Sequence, residues 1–202
     1  MTNLVQRRTL SSSLLRFGLT AENTLISVLT ADNDYKQGIA PSSSAPLPRQ
    51  SPHVHFTHVC PQKVSSPKLV HVSKSVVKLL GIDPADTERD DFVTGVCGNS
   101  FFPGLTCGYA TAYGCHSHGH WLGQLGDGRA ISLGEVLSPG GGQRYEIQLK
   151  GAGRTPYSRG FDGRAVLRSS IRELLASEAM HHLGVKTTRA LSMVTTRDRV
   201  TR

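Results

Sequence analysis

One junction limits the folds open to this chain more than any other stretch. An alternating strand pattern runs into a glycine-rich turn and then into a long helical pattern. In "RYEIQLK" (144–150), Ile147 and Leu149 fall on one face of a strand, Gln148 and Lys150 on the other. "GAGRTPYSRGFDG" (151–163) follows, too rich in glycine to continue a strand. Residues 164–183 then contain neither Gly nor Pro, carry Leu167, Ile171, Leu174 and Leu175 at three- and four-residue spacing, and end at Gly184, which predicts a helix with a glycine stop. Just upstream, "RAISLGEV" (129–136) alternates as well, with "SPGGGQ" (138–143) as the hairpin loop between the two strands. "TTRALSMV" (187–194) reads as the next strand. The expected fold class is α+β, an antiparallel sheet with a helix packed against it.

The same junction is strongly basic. Six Lys and Arg residues face a single acid, Asp162, between Lys150 and Arg172. The whole chain of 202 residues carries a formal charge of +8. An anionic partner or a solvated basic surface both fit that balance. Aromatic residues make up 6%, and no basic platform interleaved with aromatics appears, which argues against a single-strand nucleic-acid binder. Four cysteines (Cys60, Cys97, Cys107, Cys115) stand without a C-x-x-C pair. Neither a disulfide framework nor a structural zinc site is implied, and a reducing interior fits. No apolar run approaches a membrane span.

Along the rest of the chain, "MTNLVQRRTLSSSLLRFGLT" (1–20) holds three arginines and no acid. It is either a mitochondrial transit peptide or simply a basic N-terminus. "APSSSAPLPRQSP" (40–52) reads as an extended linker. "PKLVHVSKSVVKLLGI" (67–82) reads as a short helix stopped by Gly81, and "DPADTERDDF" (83–92) as a solvated turn or helix start. The glycine-rich stretch 95–128 predicts short, interrupted structure.

Lys150 ends its strand as a point cation suited to phosphate, provided a carboxylate holds it. At about 100° per residue, Glu178 lies inside the Leu167/Ile171/Leu174 stripe and Glu173 on the opposite side, so the wheel favours Glu178 as the partner. Either acid could instead make a surface pair with Arg168 or His182. In "GQLGDGR" (123–129) the glycines allow close approach to a ligand and Arg129 adds a phosphate donor, although a tight turn explains the glycines equally. Asp162-Gly163 is a helix-entry signal, with Asp162 able to cap. Arg164, Arg168 and Arg172 recur along one stripe, against the helix dipole, which a bound anion would offset. The cluster "HSHGHW" (116–121) puts His116, His118 and His120 near one another, but without a companion carboxylate at metal-ligand spacing.

Two stretches, "YGCHSHGHWLGQLGDGRA" and "IQLKGAGRTPYSRGFDGRAVLRSSIRELLASEAMHHLGVKTTRAL", resemble the selenoprotein O family of kinase-like protein adenylyltransferases. The similarity is nearly unbroken from Gly108 to Val194 and continues more weakly through "GNSFFPG" (98–104), "LLGID" (79–83) and "SPKLV" (66–70). It implies a protein-kinase-like fold that binds ATP in a flipped orientation and moves AMP onto Ser, Thr or Tyr hydroxyls of proteins. Carried over, Gly126, Gly128, Arg129, Lys150, Asp162 and Gly163 match nucleotide contacts, and Glu173, not Glu178, matches the glutamate paired with the lysine. The family has Gln-Phe where Ser117-His118 stand, and a small residue in place of Leu122.

The resemblance further implies that Mg²⁺ bridges the phosphates, with the metal ligands and the catalytic base in a second lobe. No H-R-D or D-F-G element occurs here. The expectation is therefore an N-lobe only, with the C-lobe absent, and no catalytic base or metal ligand within the chain. Residues 1–45 form an N-terminal segment with transit peptide and linker, and 46–202 a partial kinase-like nucleotide-binding lobe. Such a chain would be a truncated, inactive part of a mitochondrial, otherwise cytoplasmic, adenylyltransferase. The alternative is a non-catalytic nucleotide-binding or regulatory module.

Overall fold

The computed structural model describes residues 23–33, 51–102, 105, 108–139 and 142–200. In chain order these form α1 (Thr24–Val28), β1 (Phe56–Val59), β2 (Lys68–Val72), α2 (Lys74–Leu80), a 3-10 turn (Pro84–Glu88) and α3 (Asp90–Val96). Then come β3 (Gly108–Ser117), β4 (His120–Gly126), β5 (Ala130–Leu137), β6 (Arg144–Lys150), α4 (Leu167–His182) and β7 (Ser192–Thr195). The result is a mixed α/β arrangement around antiparallel sheets. The larger sheet runs β1-β3-β5-β6 with β4 also paired to β3, and β2 pairs β7 separately.

The hairpin β5–β6 forms where alternation placed it, with Ala130 opposite Lys150 and Leu137 opposite Arg144. One irregularity falls between Ser132 and Gly134, where Gly134 takes φ +140, the bulge conformation that glycine makes accessible. The glycine-rich stretch departs from expectation. Instead of short pieces it yields the ten-residue β3 and the seven-residue β4. The hairpin between them turns through His118 and Gly119, both at positive φ, the backbone that matches strand twist in a two-residue loop.

The stretch 67–82 is also not one helix. Its first part is β2, and only Lys74–Leu80 is helical. Ser73 caps α2 by accepting a hydrogen bond from the Val76 amide, and Gly81 ends it at φ +71. The expected strand at 187–194 shortens to β7 and joins β2 rather than the main sheet.

The larger core gathers Val76, Val77, Leu80, Ile82, Phe92, Phe102, Leu105, Leu133 and Val136 between α2, α3 and the sheet. A second cluster, Val59, Ala110, Ile131, Ala152 and Tyr157, lies under the loop that follows Lys150. Residues 23–33 join the sheet. Ala31 bridges Phe56, and Thr24 Oγ1 donates to Glu135 Oε1 at 2.9 Å. Burial pushes the Glu135 carboxyl up, but the bonds from Thr24 and Arg144 outweigh it and hold the group below its ordinary value. Residues 1–20, read as a transit peptide or a basic tail, and most of the linker lie outside the described residues.

The cysteine spacing implied no disulfide framework, yet Cys60 is disulfide-bonded. Cys97 and Cys115 are free, and Cys107 lies outside the described residues. No helix among the described residues is long and apolar enough to cross a membrane.

Candidate phosphate site at the end of strand β6

Strand β6 alternates along its whole length. Tyr145, Ile147 and Leu149 are half-buried, while Glu146, Gln148 and Lys150 are exposed. Lys150 therefore stands on the open face at the strand's end, where Ala130 opposes it. The next residue, Gly151, sits at φ +82 and donates its N–H to Arg129 O at 2.6 Å, so Arg129 and Lys150 share one end of the hairpin. Lys150 Nζ lies 3.3 Å from Glu173 Oε1.

Glu178, which the wheel favoured, points elsewhere. Arg189 grips it side-on through one guanidinium edge, Nε to Oε1 at 2.5 Å and Nη2 to Oε2 at 2.7 Å. The Arg189 hydrogen bonds hold the Glu178 carboxyl below its usual range against a smaller desolvation effect. Neither acid is occupied by Arg168 or His182 as an ordinary surface pair.

The loop after Lys150 is packed. Ala152, Gly153, Thr155, Pro156, Tyr157 and Ser158 are all buried, while Arg154 and the stretch 159–161 are exposed. Thr155 Oγ1 donates to Asp127 O at 2.6 Å, and Ser158 Oγ donates to Gly128 O. Tyr157 OH and Thr57 Oγ1 share a hydrogen bond of 2.8 Å.

These contacts explain two of the glycines singled out in "GDGR". A Cβ on Gly126 would come 2.5 Å from Tyr157 Cγ, and one on Gly128 would come 2.8 Å from Tyr157 O. Their smallness lets a protein loop in. Asp127 between them accepts from Thr111 N at 3.0 Å and from Thr111 Oγ1 at 2.6 Å.

Asp162 and Gly163 are close to the same loop but do not begin the helix. Asp162 Oδ1 accepts from the Arg164 amide at 2.9 Å, a local turn, while α4 starts at Leu167 with no side-chain cap. Gly163, at φ +69, lies so near Gly153 that a Cβ would stand 1.9 Å from Gly153 O. Arg164 is therefore not part of a helical stripe. It bridges Ala152 and reaches the carbonyls of Gln62 and Lys63. Arg168 and Arg172 do lie on α4.

What remains beside the Lys150–Glu173 pair is a set of exposed guanidinium groups. Arg129, Arg154, Arg168 and Arg172 are exposed, and none is ion-paired among the described residues. Lys150 is partly neutralised by Glu173. Such a set fits a polyphosphate, since each guanidinium can donate two parallel bonds to phosphate oxygens. It does not offer a metal site. Among the described residues no three His, Cys, Asp or Glu groups stand close enough to hold an ion. His116 instead stacks on Trp121 at 4.8 Å between ring centroids.

Sequence reasoning missed Arg189, Thr155 and Tyr157. Nothing local marked them, because each acts on a residue at least eleven positions away.

Comparison with known proteins converges on one family. The family model described as "Protein adenylyltransferase SelO" matches residues 43–202. Among relatives, "Protein nucleotidyltransferase YdiU" of Xanthomonas axonopodis pv. citri (strain 306) is 52% identical over 174 residues, 86% of this chain and 33% of that protein. The protein of the same name from Methylobacillus flagellatus is 52% identical over 177 residues, 87% of this chain and 34% of its own. That of Azoarcus sp. (strain BH72) is 53% identical over 175 residues, 86% and 33% respectively. The chain thus spans about a third of the length of the relatives it matches, all three of them bacterial. With a match reaching from residue 43 to the last residue, this chain belongs to the protein adenylyltransferase SelO family, an enzyme family of nucleotidyltransferases.

Proposed function

We propose that residues 46–202 form the nucleotide-binding, protein-kinase-like lobe of a protein adenylyltransferase, which uses ATP to place AMP on Ser, Thr or Tyr hydroxyls of proteins. The observation that carries this reading is the 3.3 Å contact between Lys150 and Glu173. A strand lysine fixed by a helix glutamate is the device kinases use to hold nucleotide phosphates, and this lysine has Glu173 at hand while Glu178 is engaged by Arg189.

In that role Lys150 neutralises phosphate charge, and Glu173 keeps the ammonium from wandering. Arg129 supplies a planar donor from the neighbouring strand end. The turns at Gly126–Gly128 and Asp162-Gly163 fix the backbone against which the nucleotide lies. A divalent ion such as Mg²⁺, when bound, would screen the phosphates and polarise the transferred group. Its ligands, and the base that orients the acceptor hydroxyl, are assigned to the part of the relatives that this chain does not match.

The test is ATP binding by the 202-residue chain, with and without Mg²⁺, beside Lys150→Ala and Glu173→Gln. Loss of affinity of about tenfold or more in Lys150→Ala is expected, since a charge-assisted phosphate bond is among the stronger hydrogen bonds. Unchanged affinity in both variants would remove Lys150 from the site. Labelling from ATP carrying the tracer at the α-phosphate then separates AMP transfer from phosphate transfer.

A second reading is a nucleotide-binding or regulatory module without turnover. It predicts ATP affinity indifferent to Mg²⁺ and no α-label on any protein.

A further inference from the structure

Helix α4 is placed in an unusual way for an element that carries a functional glutamate. None of its residues is buried. Of its apolar stripe, Leu167 and Ile171 are 47% and 39% exposed, and Leu174 is only half-buried. Packing therefore does not set the rotation of the helix about its axis, yet that rotation decides whether Glu173 can reach Lys150.

The contact best able to set it lies five residues along, about 7.5 Å up the helix axis. Arg189 meets Glu178 in a two-pronged pair whose side chains are only 14% and 24% exposed, against 45% and 51% for Lys150 and Glu173. The Arg189 guanidinium also donates through Nη2 to Ser75 Oγ at 2.9 Å. Ser75 Oγ is 3.1 Å from Ser73 Oγ, the cap of α2, and α2 buries Val76, Val77 and Leu80. A continuous polar chain thus runs from the core through Arg189 to Glu178, and the stiff helix carries the constraint on to Glu173.

We infer that Arg189 is a positioning residue that, through Glu178, fixes the orientation of α4 and so keeps Glu173 on Lys150; its bearing on nucleotide binding rests on the function proposed above. Among charged groups near Glu178, His181 and His182 also lie on α4 and move with it. They cannot anchor the helix to the body. A monodentate lysine at 189 would keep the charge but could not bond Glu178 twice and Ser75 once.

The experiment reads Lys150 directly. A lysine amine engaged by a carboxylate is shielded from an acylating reagent and reacts more slowly. The rate of acetylation at Lys150, followed by mass spectrometry with exposed Lys68 and Lys186 as internal references, reports the Glu173 contact without any nucleotide. Glu173→Gln sets the rate for the unpaired lysine, expected to be about two- to fivefold faster, as befits an exposed pair. Arg189→Gln and Glu178→Gln should approach that rate while Lys68 and Lys186 stay unchanged. The charge-reversed double variant Arg189→Glu with Glu178→Arg should return toward wild type.

Lys150 reacting at its wild-type rate in Arg189→Gln, with helical circular dichroism intact, overturns the proposal. Should Arg189→Gln unfold, Arg189→Lys takes its place, and an unaltered Lys150 rate in that folded variant overturns it equally. ATP affinity measured on the same variants keeps the two ideas apart. Wild-type protein that fails to bind ATP sinks the nucleotide reading, whereas the acylation pattern alone decides the tether.

Discussion

The two walls of the candidate site are built by opposite means. The wall made by loop 151–163 is buried over most of 152–158, bonded through Thr155, Tyr157 and Ser158, and so close-packed at Gly153 and Gly163 that no side chain fits between them. The wall made by α4 buries nothing and hangs on ion pairs. Buried packing fails steeply when a single atom is added, because interiors have no room to yield. Exposed ion pairs are each worth little and can be exchanged or screened. The site thus joins a fixed surface to an adjustable arm, and the glutamate that governs Lys150 rides on the arm.

That contrast orders the expected effects of mutation. Gly163→Ala should be the most damaging change, about 3 kcal/mol or more, because its Cβ would strike Gly153 O and its φ of +69 suits glycine. Thermal unfolding would check it, and a loss below about 1 kcal/mol would mean that the loop is far looser than described. Tyr157→Phe comes next. It removes the buried bond to Thr57 and should cost about 1–2 kcal/mol in a denaturant titration while leaving α4 unaltered.

The arm should respond to acid before the loop does. Glu178 has its carboxyl lowered from an ordinary value of 4.5 by the Arg189 hydrogen bonds. Its contribution is complete above that ordinary value and fades as pH falls through the lowered one. The stability that Glu178→Gln removes, measured by thermal unfolding and followed down from neutral pH, should hold steady until below about pH 4.5 and only then shrink. A difference already shrinking between pH 6 and 7 would show that Glu178 is not the group that holds the arm. The smallest effect belongs to Leu175→Gln. With its side chain in solvent, stability should stay within about 0.5 kcal/mol, and a larger loss would show that α4 is packed after all.

How much of this could be read in the sequence follows the same division. The β5–β6 hairpin and the long helix were legible because alternation and glycine-free periodicity are local signals. The end of α4 is a clear case. Gly184 at φ +80 donates to His181 O, and Val185 donates to Met180 O, the paired bonds of a glycine-terminated helix. The choice between Glu173 and Glu178 was not legible from the residues. A helical wheel assumes that the apolar stripe faces the core, and here Leu167 and Ile171 are exposed and Leu174 is only half-buried, so its reference direction is weak. Family resemblance named Glu173, and the geometry brings it to Lys150. Strand β2 was hidden for another reason. Its partner β7 lies more than a hundred residues later, and Leu69, Val76, Val77 and Leu80 happen to suit a helix as well. The need for Gly126 and Gly128 was attributed to a ligand or a tight turn, when the close neighbour is Tyr157, a residue no short window could supply.

The fastening of Thr24 to Glu135 has a consequence for how the molecule is made. These partners are 111 positions apart, so at ribosomal speed the first must wait roughly 5–20 s for the second to be synthesised. Throughout that interval the early segment has only β1, through the bridge from Ala31 to Phe56, to pair with. Co-translational folding at this edge is gated by the emergence of the β5–β6 hairpin, and a chaperone acting on the nascent chain would meet the N-terminal segment in its unseated form.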